Sequence, residues 1–165
     1  MDFVKIFSDF PPQIATFLIA MLPIAELRGS IPIALTVYRL DIFSAYIISV
    51  VGNITPVVFI IWLLGPVSGY LMERFGLANN FFSWLFRRTR NKFFGRYEIW
   101  GDLALIVFVA IPLPITGAWT GSVAAFLFGI PKKKSLLLIT IGAMIAGVIV
   151  TLVTLGVFQF INIFR

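Results

Sequence analysis

Pro23-Ile24-Ala25-Glu26-Leu27-Arg28-Gly29-Ser30-Ile31-Pro32 interrupts an apolar stretch that runs from about Ile14 to Tyr38. Glu26 and Arg28 are the only charges in that stretch. A charge at the centre of a bilayer costs about 2.5–3.5 kcal/mol on insertion scales. Pro and Gly also disrupt helix hydrogen bonding there. Broken backbone at membrane depth is tolerated only against protein or a water-filled cavity. The stretch therefore reads as part of a membrane protein with a polar site built where its helices break. That pattern points to transport.

Composition sets the same frame. Of the 165 residues, 60% are hydrophobic, far above an ordinary soluble domain. The length fits a single transmembrane domain whose core forms against lipid and neighbouring helices. There is no Cys, so disulfides and thiolate metal sites are excluded. There is no His, which removes the commonest metal ligand and the usual acid–base group near neutral pH. No cofactor is expected. The net charge is +6, but basic loops beside apolar spans account for it without nucleic acid. The first ten residues hold Asp2 and Asp9 with only Lys5, and no small-residue cleavage site follows. The N-terminus is expected to be retained and not cleaved as a signal peptide.

Two segments are long enough to span. Ile42–Leu64 makes a helix of about 34 Å against a hydrocarbon core of about 30 Å, with Gly52, Asn53 and Pro56 as candidate kink points. Ser135–Phe158 carries no charge, and its Gly142, Ala143, Ala146 and Gly147 form a small-residue face that suits close helix packing. Two further apolar stretches are broken. Phe10–Tyr38 breaks at residues 23–32, and Leu103–Gly129 breaks at Pro112-Leu113-Pro114-Ile115-Thr116-Gly117-Ala118-Trp119-Thr120-Gly121. Each side of a break is about 12–20 Å of helix, half a membrane. Each stretch is either a re-entrant hairpin or one kinked spanning helix.

Charge favours re-entry. Pro66–Trp100 holds Arg74, Arg87, Arg88, Arg90, Lys92 and Arg96, and the positive-inside rule makes it cytoplasmic. If the second broken stretch returns to its own side, Lys132, Lys133 and Lys134 join them, and nine of the thirteen cations lie inside. Phe93, Tyr97 and Trp100 share a helical face, and Phe81, Phe82, Trp84 and Leu85 are too apolar for free solution. The linker therefore reads as interfacial helices on an anionic leaflet.

The halves also match. Leu22-Pro23-Ile24 parallels Ile111-Pro112-Leu113, Gly29-Ser30-Ile31 parallels Gly121-Ser122-Val123, and Gly65 parallels Gly156. Together these suggest a repeat of about 90 residues. The expected fold is an all-α integral membrane protein with two inverted repeats. Each is a re-entrant helical hairpin followed by a spanning helix, at about residues 10–65 and 102–158, joined by the linker 66–101. Inverted repeats with discontinuous helices place a transporter's site at the midplane.

The breaks offer specific chemistry. Gly29-Ser30-Ile31-Pro32 is a helix-start signature, with Ser30 as cap and Pro32 in the first turn. Thr116 before Gly117, and Thr120 or Ser122 beside Gly121, can cap in the second half. Two helix N-termini then face the midplane and favour anions. Arg28 adds a fork suited to phosphate or carboxylate. Glu26 has two readings, a structural pair with Arg28 or a proton-coupling or cation-binding carboxylate. Asn53 offers a polar contact, most simply an interhelical hydrogen bond. Trp119 either lines the cavity or packs.

At these residues the sequence resembles the small multidrug export protein family, a distant relative of the DedA (VTT-domain) membrane proteins. The Pro23…Glu26-Leu27-Arg28-Gly29…Ile31-Pro32 and Ile111–Gly121 runs carry the resemblance, which covers nearly the whole chain. It implies paired re-entrant loops with transport or lipid-translocation activity, and it reaches Glu26, Arg28, Pro112, Pro114, Thr116 and Gly117. Two departures stand out. The second loop has no charge where DedA relatives carry arginine, and Ile115 stands where the export family has Gly.

Three classes of function are in play. A secondary transporter is expected, either exporting amphipathic molecules with Glu26 exchanging a proton, or flipping a phosphate-bearing lipid held by Arg28 and the helix starts. The partners are then membrane lipids and a small amphipathic or anionic lipid substrate, with a homodimer compatible, in the cell membrane of a prokaryote. An intramembrane enzyme lacks the groups to activate Ser30 or Thr116. A non-transporting structural protein is the third class.

Overall fold

The computed structural model describes residues 6–7, 9–76, 97–113 and 116–163. Six helices order these residues: α1 Pro12–Met21, α2 Glu26–Thr36, α3 Ile42–Arg74, α4 Tyr97–Ala110, α5 Ala118–Leu127 and α6 Lys132–Ile163. No strand occurs among the described residues. Helices α3 and α6 are long and apolar enough to cross a membrane, and the other four are short. The two expected spans are thus present and longer than read. Of the interfacial linker expected over 66–101, residues 97–101, with Tyr97 and Trp100, begin α4, and residues 77–96 lie outside the described residues.

Each local boundary has a cause in the sequence. Helix α1 opens with Pro12 at its first turn, where the missing N–H is harmless. It ends at Leu22, whose backbone is extended, as a residue before proline prefers. Asp41 starts α3 by accepting the Ser44 N–H at 2.9 Å. The Ser44 hydroxyl, and then that backbone bond, hold the exposed Asp41 carboxyl below its ordinary value. Helix α5 ends at Gly129, with φ of 69°, where the Ile130 N–H reaches the Ala125 carbonyl at 3.0 Å. Arg39, with φ of 52°, closes α2 in the same way. Helix α3 continues through Gly65 and Pro66 to Arg74, so residues 66–74 of the expected linker extend the span.

The packing is the same in both halves. Helix α1 packs on α2 and α3, and α2 packs on α3; α4 packs on α5 and α6, and α5 packs on α6. The second short helix of each half also crosses to the long helix of the other, α2 to α6 and α5 to α3. Helices α3 and α6 meet at the centre, where the Tyr46 hydroxyl donates to the Met144 carbonyl at 3.0 Å.

Glycines set two close approaches of helix to backbone. A Cβ on Gly52 would lie 2.6 Å from the Phe17 carbonyl oxygen of α1. A Cβ on Gly142 would lie 2.9 Å from the Ile106 carbonyl oxygen of α4. The small residues of α6 therefore serve packing, with Gly147 against Tyr46 and Val50.

Leu27, Ile31, Val50, Val57, Leu105, Val109, Ile139 and Ala143 belong to one buried core. Phe43, Phe59, Leu63, Leu137 and Leu152 lie outward and exposed. Lipid, not water, suits such outward faces.

At one end of the bundle, Lys134 pairs with Asp102 at 2.7 Å. Beside it, the Lys132 ammonium sits 5.3 Å from the centre of the Trp62 ring. The start of α4, the start of α6 and the later part of α3 therefore share that end.

Candidate functional site at the two helix breaks

The first break is residues 22–25. Pro23 has no N–H to give, and the helix restarts when the Glu26 N–H bonds the Leu22 carbonyl at 2.9 Å. Glu26 is left with φ of 46°, a strained backbone for a residue with a side chain, and its carboxylate is buried. Helix α2 thus begins four residues before Ser30, which corrects the expected cap. Ser30 lies within the helix and Pro32 is carried inside it.

The second break runs from Ile111 to Gly117. The Thr116 hydroxyl donates to the Ile111 carbonyl and accepts the Leu113 N–H at 3.2 Å, so it holds the turn together. Gly117 follows with φ of 151°, a conformation open to glycine. No side chain caps α5 from its own segment. Thr120 and Ser122 donate back to the Gly117 and Ala118 carbonyls, so neither is the expected cap.

The cap comes from the other half. The Glu26 carboxylate lies against Gly117, and a Cβ there would meet Glu26 Cδ at 2.7 Å. It accepts the backbone N–H of Trp119. A negative charge at a helix N-terminus is favoured by the exposed N–H groups and the helix dipole. In return, the Trp119 indole N–H donates to the Met21 carbonyl at the end of α1, at 3.2 Å. Each break therefore supplies the hydrogen bond that the other lacks.

Arg28 lies beside this contact. Its guanidinium donates to the Ile24 carbonyl at 2.8 Å, and its charge acts on Glu26. Gly29 is tight against Ala25, where a Cβ would sit 2.9 Å from the Ala25 methyl carbon. Pro112 is half-buried in the second turn, and Pro114 lies outside the described residues. Asn53 is buried on α3, and its Oδ1 has no partner, which corrects the expected interhelical hydrogen bond through that oxygen.

Of the expected site residues, Glu26, Gly117 and Trp119 are brought together, with Thr116 shaping the approach. The Met21 carbonyl was not foreseen, because a backbone oxygen has no signature in the sequence. Ser49 carries only a weak signal in the sequence. Its position four residues before Asn53, on one helix face, was the available signal. Among the described residues, no group of three or more His, Cys, Asp or Glu could hold a metal ion.

No curated protein and no solved structure matches the chain. Residues 26–149 match a family described as "Putative small multi-drug export protein", and that span includes Glu26 just after the first break, the second break, all of α3 and more than half of α6. The chain belongs to this family.

Proposed function

We propose that this protein is a membrane exporter of small amphipathic molecules, coupled to protons through Glu26. The observation that carries this reading is the reciprocal cap. An ionisable side chain from one half closes a helix start of the other, inside an apolar bundle. Protonating Glu26 removes the negative charge that holds the α5 N-terminus and loosens the contact between the breaks. A cationic amphiphile can replace the proton at the same carboxylate. Proton entry and substrate exit then use one site alternately.

The architecture we assign is a DedA-like pair of re-entrant hairpins in inverted repeats, in a prokaryotic cell membrane. Re-entry of the second hairpin is supported by the Asp102–Lys134 pair. It brings the entry of α4 and the exit after α5 to one end. The repeat is supported by equivalent positions 90 residues apart. Arg39 and Gly129 share a left-handed backbone, and Gly52 and Gly142 share a close helix approach.

A phosphate-lipid flippase needs open helix starts and a guanidinium turned to the headgroup. Here Glu26 occupies the α5 start and the Arg28 guanidinium lies on the Ile24 carbonyl. The geometry therefore favours a cationic substrate over an anionic one. The test is flux of a cationic dye in sodium-free liposomes with an imposed pH gradient. Wild-type protein should move the dye, and folded Glu26→Gln should fall to the level of empty liposomes. Dye flux by Glu26→Gln equal to wild type removes the coupling role. Flux of labelled lipid phosphates alone reverses the sign of the substrate.

A further inference from the structure

Helical hydroxyls in this bundle follow one habit. Thr16, Thr55, Ser122, Thr140 and Thr151 each donate to the carbonyl four residues back. The other described serines and threonines also have partners, with two exceptions. Ser30 Oγ and Ser49 Oγ are bare, and both residues are fully buried. A third bare oxygen, Asn53 Oδ1, belongs to a side chain that is 2% exposed.

The three are not scattered. Ser49 and Asn53 are one turn apart on α3, on the same face. To one side of that face Gly52 meets α1, and to the other Tyr46 and Val50 meet Gly147 of α6. The helix that packs on α1, α3 and α6 together is α2. Ser30 lies on its buried stripe, one turn after Glu26. A buried polar atom without a partner costs about 1–3 kcal/mol, and native proteins satisfy such atoms with water or an ion. Here each serine had a carbonyl one turn back to bond and did not use it.

We propose that Ser30, Ser49 and Asn53 form a binding site for a monovalent alkali cation between α2 and α3. The donors are hard oxygens, which suit alkali and alkaline-earth ions over transition metals. A divalent ion normally takes several carboxylates, whereas this site has one, Glu26, a turn away. The opposing charge is Arg28, whose guanidinium donates to the Ile24 carbonyl at the break and whose charge also acts on Glu26. Water is the competing occupant. It satisfies the oxygens but brings no charge, so its occupancy does not respond to the identity of the salt cation. The inference rests on the transport reading for its role, since a cation beside Glu26 becomes a coupling ion.

The experiment is thermal unfolding of the purified protein in detergent, with sodium chloride replacing choline chloride at constant ionic strength. Wild-type protein should gain about 3–5 °C in Tm for each tenfold of sodium above its Kd. Ser49→Ala and Asn53→Leu should lose that gain. Ser49→Ala should also unfold in choline at a Tm no lower than wild type, because it removes an unsatisfied hydroxyl. If Asn53→Leu does not fold, Ser49→Ala decides. Equal Tm in sodium and choline for the wild type means the oxygens hold water only and overturns the site. A sodium gain kept by Ser49→Ala places the ion elsewhere and also overturns it. Proton-driven dye flux is measured without sodium, so a failed transport reading and a failed cation site give different results.

Discussion

Gly117 is the residue with least room to vary. Its φ of 151° and ψ of −172° fall where side chains are not tolerated, and the Glu26 carboxylate fills the space a Cβ needs. Gly117→Ala should destabilise the fold by about 1–3 kcal/mol through backbone strain alone, read as a lower Tm in detergent. Adding Glu26→Ala should recover the contact but not the strain, so a full rescue sinks this account. Trp119→Phe should cost about 0.5–1.5 kcal/mol by leaving the Met21 carbonyl unbonded. At this scale the sequence was half legible. A charge among apolar residues marked Glu26, and the family resemblance reached Gly117. Their meeting was not legible, because it depends on how the two halves pack. Ser30 misled for a physical reason. Its pattern with Pro32 reads as a helix start, yet in apolar surroundings the backbone gains more by bonding at once. The helix therefore starts at Glu26 and absorbs the proline.

Between helices, the decisive contacts are glycine against backbone. Gly52→Val and Gly142→Val should each push a long helix off its short partner, since even a Cβ would lie within 3 Å of a carbonyl oxygen. Overpacking of this kind typically costs about 1–3 kcal/mol, and both variants should show it as lower Tm and loss of a sharp monodisperse peak. Gly69→Ala is the control, because nothing lies within 4 Å of a Cβ there. A silent Gly142→Val with a damaging Gly69→Ala would refute the packing. The spans were legible from apolar length, and the small face of α6 from its composition. The ends were not. Pro66 reads as a stop, but its turn is already flanked by helix on both sides, and α3 passes through it to Arg74.

For the whole molecule, the testable feature is which ends face which side. Lys132 and Lys134 share an end with Trp62 and Asp102, while the α2–α3 turn lies at the opposite end of α3. Single cysteines at Lys133 and Val37, both exposed, therefore report opposite sides. Labelling intact cells from outside should modify Val37→Cys and spare Lys133→Cys. Label on both, or on Lys133→Cys alone, contradicts the cytoplasmic placement of the lysines. The helical class and the two long apolar helices were readable because apolar length acts over long segments. The exchange of contacts between α2 and α6, and between α5 and α3, was not readable, because no local pattern encodes a partner about 90 residues away. The reciprocal cap has a consequence for how the chain is made. A ribosome delivers the first hairpin while Trp119 is still unsynthesised, so the end of α1 and the Glu26 carboxylate are made before the residue that bridges them. Until the second hairpin arrives, the Met21 carbonyl lacks the Trp119 indole and the Glu26 carboxylate lacks the Trp119 N–H, so the order of synthesis sets the order in which this contact can close.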